Sequence, residues 1–230
     1  TLFKEIGNIV YKYPLKKAIQ DGVLVEFDLI RLDYKLLESD RAKRSKAFAA
    51  FEVDIKNGVN PVVAEKRKNL KLSAIKKNCV DKVRVFQNNF DSIAKYLHRS
   101  FIYANEKVYV DRVLNILVHK NINFRKHTDG ANYENIKKFS NGEIDCLLNC
   151  EKLSEGIDVK SVNNIVLFAT PQGIQLIQRL GRVLRIDNKF PNKRACVIDF
   201  FEEDDMENKK GSDYNRYKKL KEWSEIKKLI

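Results

Sequence analysis

The stretch QLIQRLGRVLR, Gln175 to Arg185, holds three arginines, two glutamines and a central glycine, with no acidic residue. Wound at about 100° per residue, Pro171 to Arg185 reads as one helix. Gln175, Gln178, Arg182 and Arg185 share a narrow stripe. Leu176, Ile177, Leu180, Val183 and Leu184 fall on the other side, which belongs against a sheet. A solvated face normally mixes Glu with Lys and gains i,i+4 pairs; this stripe is all glutamine and arginine. Gly181 costs about 1 kcal/mol relative to Ala in a helix interior. That cost makes sense where a ligand or another backbone must come close. Guanidinium is planar, always charged and bidentate toward phosphate oxygens, so Arg182 and Arg185 fit neighbouring oxygens of one triphosphate. The competing reading is a solvated basic face that happens to lack acids. Arg179 points about 100° off the stripe, toward a structural or interdomain contact.

Around this helix the chain alternates. Strands are predicted at SFIYA (Ser100 to Ala104), NFRKHT (Asn123 to Thr128), EIDCLLNC (Glu143 to Cys150), VNNIVLFAT (Val162 to Thr170) and RACVIDFF (Arg194 to Phe201). Between them, helices are predicted at Glu106 to Lys120 and Ala131 to Gly142. Strand–helix alternation implies an α/β fold with a parallel sheet covered on both faces, and ligands at the carboxyl ends of the strands. Upstream, VLVEFDLIRLDY (Val23 to Tyr34) alternates like a strand. Residues 35–99 are helical and highly charged, broken at KNGVNP (Lys56 to Pro61). Val80, Val83, Phe86, Phe90, Ile93 and Leu97 recur at helix spacing.

The 230 residues are 43% hydrophobic, enough for one sizeable core. Net charge is +13 and the pI about 9.5, which suggests a polyanionic partner, nucleic acid being the commonest. Residues 61–100 carry ten Lys and Arg against three Asp and Glu. The helices of 61–99 therefore read either as a DNA or RNA path or as a covering pair with lysines outward. Cys79, Cys146, Cys150 and Cys196 form no C-x-x-C pair, which argues against zinc and for free thiols in a reducing compartment. With no apolar run near a membrane span's length and no signal peptide, the expected location is the cytoplasm, without membrane contact. His127 has no Ser or Cys partner placed by a motif and is not read as a catalytic base.

QRLGRVLR (Gln178 to Arg185) resembles the Q-R-x-G-R-x-x-R signature of superfamily 2 helicases, the sixth of their ordered motifs. KLSEGIDV (Lys152 to Val159) is similar to their fifth, SFIYA to their fourth, and RACVIDF to the strand after the arginine helix. The resemblance spans roughly residues 98–203. LFKEIGNIVYKYPLKKAIQDGVLVEFDLI (Leu2 to Ile30) resembles the linker leaving the first motor domain, in the branch that includes restriction-enzyme motor subunits. Lys160 stands where a proline often follows the fifth motif, a departure that weakens the subfamily assignment.

The resemblance implies a RecA-like second motor domain that closes with a first one over ATP and Mg2+. By it, Arg182 and Arg185 are arginine fingers, and Gln178, Gly156 and Asp158 lie at the nucleotide. Lys152 and Ser154 sit in a loop that touches the nucleic-acid backbone in such proteins, and Asn105, Arg125, Lys126 and Thr128 are further contacts at strand ends. The implied division is a linker at 1–34, a basic helical insertion at 35–98, the RecA-like domain at 99–203 and a charged C-terminal helix at 204–230. Neither G-x-x-x-x-G-K-[ST] nor a D-E-x-H or D-E-x-D box occurs in the 230 residues. The expectation is thus half of an ATP-dependent helicase or translocase, inactive alone, with Mg2+ held mainly by the missing N-terminal motor domain. DNA is favoured over RNA by the restriction-like linker, with nuclease or other restriction or repair subunits as further partners. The alternative from another class is a non-catalytic RecA-like module that binds nucleic acid or protein.

Overall fold

A computed structural model describes residues 13–104, 109–127, 133–149, 162–169, 173–187, 190 and 192–228. Its centre is a six-stranded sheet in which every pairing is parallel. The strands are β1 (Phe27–Tyr34), β2 (Ser100–Tyr103), β3 (Phe124–His127), β4 (Cys146–Asn149), β5 (Asn164–Leu167) and β6 (Ala195–Glu202), in the order β1-β6-β5-β2-β4-β3. All the predicted strands are present; β1 starts later than expected, at Phe27, and β6 runs one residue past its expected end, to Glu202.

The helices are α1 (Leu15–Gln20), α2 (Glu38–Lys56), α3 (Pro61–Lys77), α4 (Asp81–Asn88), α5 (Phe90–Ile93), α6 (Val110–His119), α7 (Tyr133–Ser140), α8 (Ile174–Val183), α9 (Glu203–Glu207) and α10 (Ser212–Ser224). Successive strand residues point to opposite faces, and the two cores show it. Ile102, Leu148, Val166, Phe168, Ile198 and Phe200 face α4, α5 and α6. Phe101, Tyr103, Leu147, Ile165, Leu167 and Val197 face α7, α8 and α10. Both faces being covered, the central strands are apolar along their length. Phe168 anchors the first core, its ring centroid 4.6 Å from that of Phe200 and 5.2 Å from that of Phe86.

β1 pairs with β6 over eight residues, Phe27 opposite Ala195 through Tyr34 opposite Glu202, as an edge of the sheet. In the basic region, Val83, Phe86, Phe90, Ile93 and Leu97 are buried against the sheet, on the spacing read from the sequence. One lysine there turns inward. Lys82 is fully buried, donates to the Phe168 carbonyl at 3.1 Å and lies 4.7 Å from the Tyr34 ring centroid. Burial pushes its pKa down to about 8, with Asp213 opposing the shift. By contrast α2 and α3 pack along each other and bury only Asp40, Ala47 and Ala64. Among the described residues, no helix is long and apolar enough to cross a membrane.

Candidate functional site

Helix α8 leaves the sheet after β5. Gly173 precedes it at φ 59°, a left-handed conformation that favours glycine. Leu176, Leu180 and Val183 bury the helix against the second core. Arg179 belongs to this buried side. It is 5% exposed, its guanidinium lies 4.2 Å from the Tyr103 ring centroid, and its Nη1 donates to the Ala169 carbonyl at 2.8 Å. This is the structural contact expected of it, tying the helix to the ends of β2 and β5.

The outer side differs from the sequence reading in two respects. Ile177, assigned to the sheet side, is 46% exposed, and Ile174 beside it is 74% exposed. The helix also ends at Val183, so Arg185 is not on its stripe. The Leu184 N–H closes the last turn on the Leu180 carbonyl at 2.8 Å, and the Val25 N–H takes the Leu184 carbonyl at 2.8 Å. Arg185 then forms an antiparallel bridge with Leu24. A contact from the segment entering β1 ends the helix, where the apolar period alone would have carried it on. Gln178 is exposed, Arg182 half-buried and Arg185 exposed. Gln178 and Arg182 share a helix face four residues apart, and Arg185 follows just beyond the helix end.

Tyr103 underlies the motif. Its hydroxyl is buried and finds no hydrogen-bond partner among the described residues. Burial raises its pKa, while the charges of Arg179 and Arg182 work the other way. Gly181 is half-buried, and a Cβ built there meets no atom of the described residues within 4 Å. No backbone among them therefore requires the glycine.

Arg125 and Lys126 lie on β3, the far edge strand, separated from β5 by β2 and β4. At about 4.8 Å per strand this puts β3 roughly 14 Å from β5. Arg125 is exposed and donates to the Phe124 carbonyl at 2.8 Å; Lys126 is half-buried. Lys152, Ser154, Gly156, Asp158, Asn105 and Thr128 lie outside the described residues, as do Cys150 and the side chain of His127. Cys79, Cys146 and Cys196 are buried free thiols. Burial pushes the Cys79 thiol up to about 11 and those of Cys146 and Cys196 to about 12, so none is primed as a nucleophile. Among the described residues no group of three or more His, Cys, Asp or Glu side chains could hold a metal ion.

Lys193 was missed in the sequence. Its Nζ donates to the Arg185 carbonyl at 3.0 Å and to the Val162 carbonyl at 2.6 Å. Burial pushes its pKa down to about 8, opposed by Asp187. Nothing in PNKRA distinguishes it from the neighbouring cations, because its role depends on where two distant carbonyls meet.

Comparison with solved structures identifies the architecture. A variant of S. cerevisiae Dbp5 bound to RNA and ADP BeF3 is similar over 98% of this chain and 45% of that one, at 14% identity and a TM-score of 0.53. The Sulfolobus solfataricus SWI2/SNF2 ATPase core in complex with dsDNA is similar over 76% of this chain and 40% of that one, at 14% identity and a TM-score of 0.53. The chain thus spans less than half the length of these structures and shares with them the RecA-like fold. No curated protein matches the sequence. The model of the helicase conserved C-terminal domain matches residues 68–187. That match takes in the strands β2 to β5, the arginine helix and more than half of the chain, which therefore belongs to the helicase conserved C-terminal domain family.

Proposed function

We propose that this chain is the second motor domain of an ATP-dependent helicase or translocase and that it supplies Arg182 and Arg185 to ATP bound by a first motor domain. One observation carries the reading. Of the three arginines in the motif, the fold buries Arg179 as a structural tie and leaves Arg185 exposed and Arg182 half-buried, beside the exposed Gln178. ATP with its Mg2+ supplies the phosphoryl group that passes to water. Arg182 and Arg185 bring fixed positive charge to the oxygens on which negative charge gathers, an effect worth roughly 10³–10⁵ in rate for an arginine finger. Gln178 adds an amide that can donate or accept beside them. These donors suit the triphosphate, whereas Mg2+ falls to the first domain. By family resemblance Gly156 and Asp158 join the nucleotide site.

Residues 1–34 then act as the linker from the first motor domain, 35–98 as a basic helical insertion, 99–203 as the motor domain proper and 204–230 as a charged C-terminal helix. Lys152, Ser154, Asn105, Arg125, Lys126 and Thr128 would meet the nucleic-acid backbone. The preference for DNA, with restriction or repair subunits as partners, rests on the likeness of Leu2 to Ile30 to the linker of restriction motor subunits. The 230 residues alone should not hydrolyse ATP above background. The test is ATPase activity of the full-length protein with DNA and with RNA. DNA should stimulate, and Arg182→Ala should abolish stimulation while DNA binding persists. Full activity in that variant would remove the finger assignment and favour the non-catalytic module. Stimulation by RNA alone would overturn the choice of nucleic acid.

A further inference from the structure

The last residues of an α-helix leave carbonyls without partners; at the end of α8 the Leu184 carbonyl and, just past the helix, the Arg185 carbonyl are both claimed from elsewhere in the chain. The Leu184 carbonyl accepts from the Val25 N–H at 2.8 Å. The Arg185 carbonyl accepts from Lys193 Nζ at 3.0 Å, and the same ammonium reaches the Val162 carbonyl at 2.6 Å. Val162 lies just ahead of β5, the strand that leads into α8. Lys193 therefore ties the far end of the arginine motif to the root of its own strand. A half-buried ammonium bonded to two carbonyls is a costly way to close a loop, since desolvation disfavours its charge. It holds the Arg185 backbone from the side opposite the Leu24 bridge.

The neighbouring residue holds the other half of the arrangement. Arg194 donates to Glu26 at 2.6 Å and to Asp28 at 2.6 Å, and Glu26 also accepts from Lys227 at 3.0 Å and from the Lys228 N–H at 3.1 Å. On the other side, the Val23 and Leu24 N–H groups both donate to the Ala18 carbonyl, at 2.9 and 3.0 Å. Two successive cations thus grip two things: Lys193 the arginine motif, Arg194 the segment entering β1. Leu184 is buried in the second core and Leu24 and Val25 pack against it, while an open groove of about 750 Å³ lined by Gly22, Glu26, Ile186 and Lys228 lies alongside. The polar clasp fixes Arg185.

We propose that Lys193, together with the Leu24–Val25 backbone, is a positioning element for the Arg185 guanidinium. It touches neither nucleotide nor nucleic acid and acts only through Arg185. The inference rests on the finger assignment above. Displacing a reacting or stabilising group by about 1 Å can cost roughly 10²-fold in rate. Lys193→Met in the full-length protein should therefore lower kcat for nucleic-acid-stimulated ATP hydrolysis roughly 10–100-fold. KM for ATP and nucleic-acid affinity should stay near wild type, and Lys193→Arg should restore most of the rate.

The deciding experiment is a double-variant cycle of Lys193→Met with Arg185→Ala. If Lys193 works through Arg185, the double variant is no slower than Arg185→Ala alone. Multiplying losses would overturn the proposal, as would wild-type kcat in Lys193→Met when Arg185→Ala is inactive; both leave the finger assignment standing. An active Arg185→Ala protein would instead remove the finger assignment and this inference with it. Should Lys193→Met fail to fold, Lys193→Gln, which keeps a donor but cannot span both carbonyls, enters the same cycle with the same readings.

Discussion

Two regions of this molecule are built around arginine and treat it in opposite ways. Arg216, on α10, is buried, and carboxylates answer its guanidinium. Nε donates to Asp199 at 2.8 Å, Nη1 to Asp213 at 2.9 Å and Nη2 to the Phe200 carbonyl at 2.8 Å. Asp213 in turn accepts from the Glu202 N–H at 2.9 Å and from the Tyr34 hydroxyl at 3.1 Å. The result is a lock that joins α10 to β6 and β1. In the arginine motif, no acid lies within Gln175 to Arg185, Arg185 is exposed, and the chain grips backbone carbonyls. The first arginine is buried among carboxylates and serves stability; the second stands at the surface with its backbone held, the placement on which the proposed phosphate contact rests.

That contrast can be broken most decisively at the two arginine sets. Arg185→Ala in the full-length protein should lower nucleic-acid-stimulated ATPase by roughly 10³-fold or more and leave thermal stability near wild type. Next in size, Asp213→Ala should destabilise the chain by about 3–5 kcal/mol, because it strips a buried cation of one counter-charge. Denaturant unfolding measures this, and the ATPase of the molecules still folded should persist. A reversal, with Asp213→Ala harmless to folding or Arg185→Ala unfolding the chain, would collapse the distinction.

A smaller effect follows from pH. Burial works to raise the Asp213 pKa, but the charges of Arg216, Lys76 and Lys82 and the Glu202 N–H outweigh it and hold it at about 2. The ordinary aspartate value being near 3.9, the Asp213 carboxyl binds fewer protons in this window in the folded chain than in the unfolded one. Asp213 then contributes stability that is complete above about pH 4 and lost as pH falls through about 2. Asp199 shifts the opposite way, chiefly by burial. Comparing wild type with Asp213→Ala isolates the Asp213 share, and the variant should lose stability less steeply below pH 4. Smallest is Gly181→Ala. With no described atom near the added Cβ, the chain should gain about 1 kcal/mol and melt roughly 2–4 °C higher. If a nucleotide comes close at this position, ATPase should fall in the same variant; unchanged activity would mean the glycine serves no ligand.

The alternation of strands and helices from Ser100 onward was legible because buried parallel strands are short apolar runs and the covering helices carry a 3.6-residue period. Gln178 and Arg182 were legible as one helix face for the same reason. What escaped depends on contacts distant in sequence. α8 stops at Val183 because Val25, far upstream, supplies the N–H that takes the Leu184 carbonyl. Ile177 sits only one position from buried Leu176, and a helical projection alone does not say where the sheet ends and the outer surface begins. Lys82 looks like any surface lysine until the fold sets the Phe168 carbonyl and the Tyr34 ring beside it. Lys193 has no signature at all, since its two acceptors meet only in the folded chain.

The most direct measurement is a structure of the full-length protein closed on an ATP analogue, Mg2+ and nucleic acid, with the distances from Arg182 and Arg185 to the terminal phosphate read from it. The account predicts guanidinium nitrogens about 2.7–2.9 Å from its oxygens, across a cleft from the domain that holds the Mg2+. Both guanidinium groups beyond about 3.5 Å of any phosphate oxygen, and bound instead to carboxylates of the protein, would contradict it.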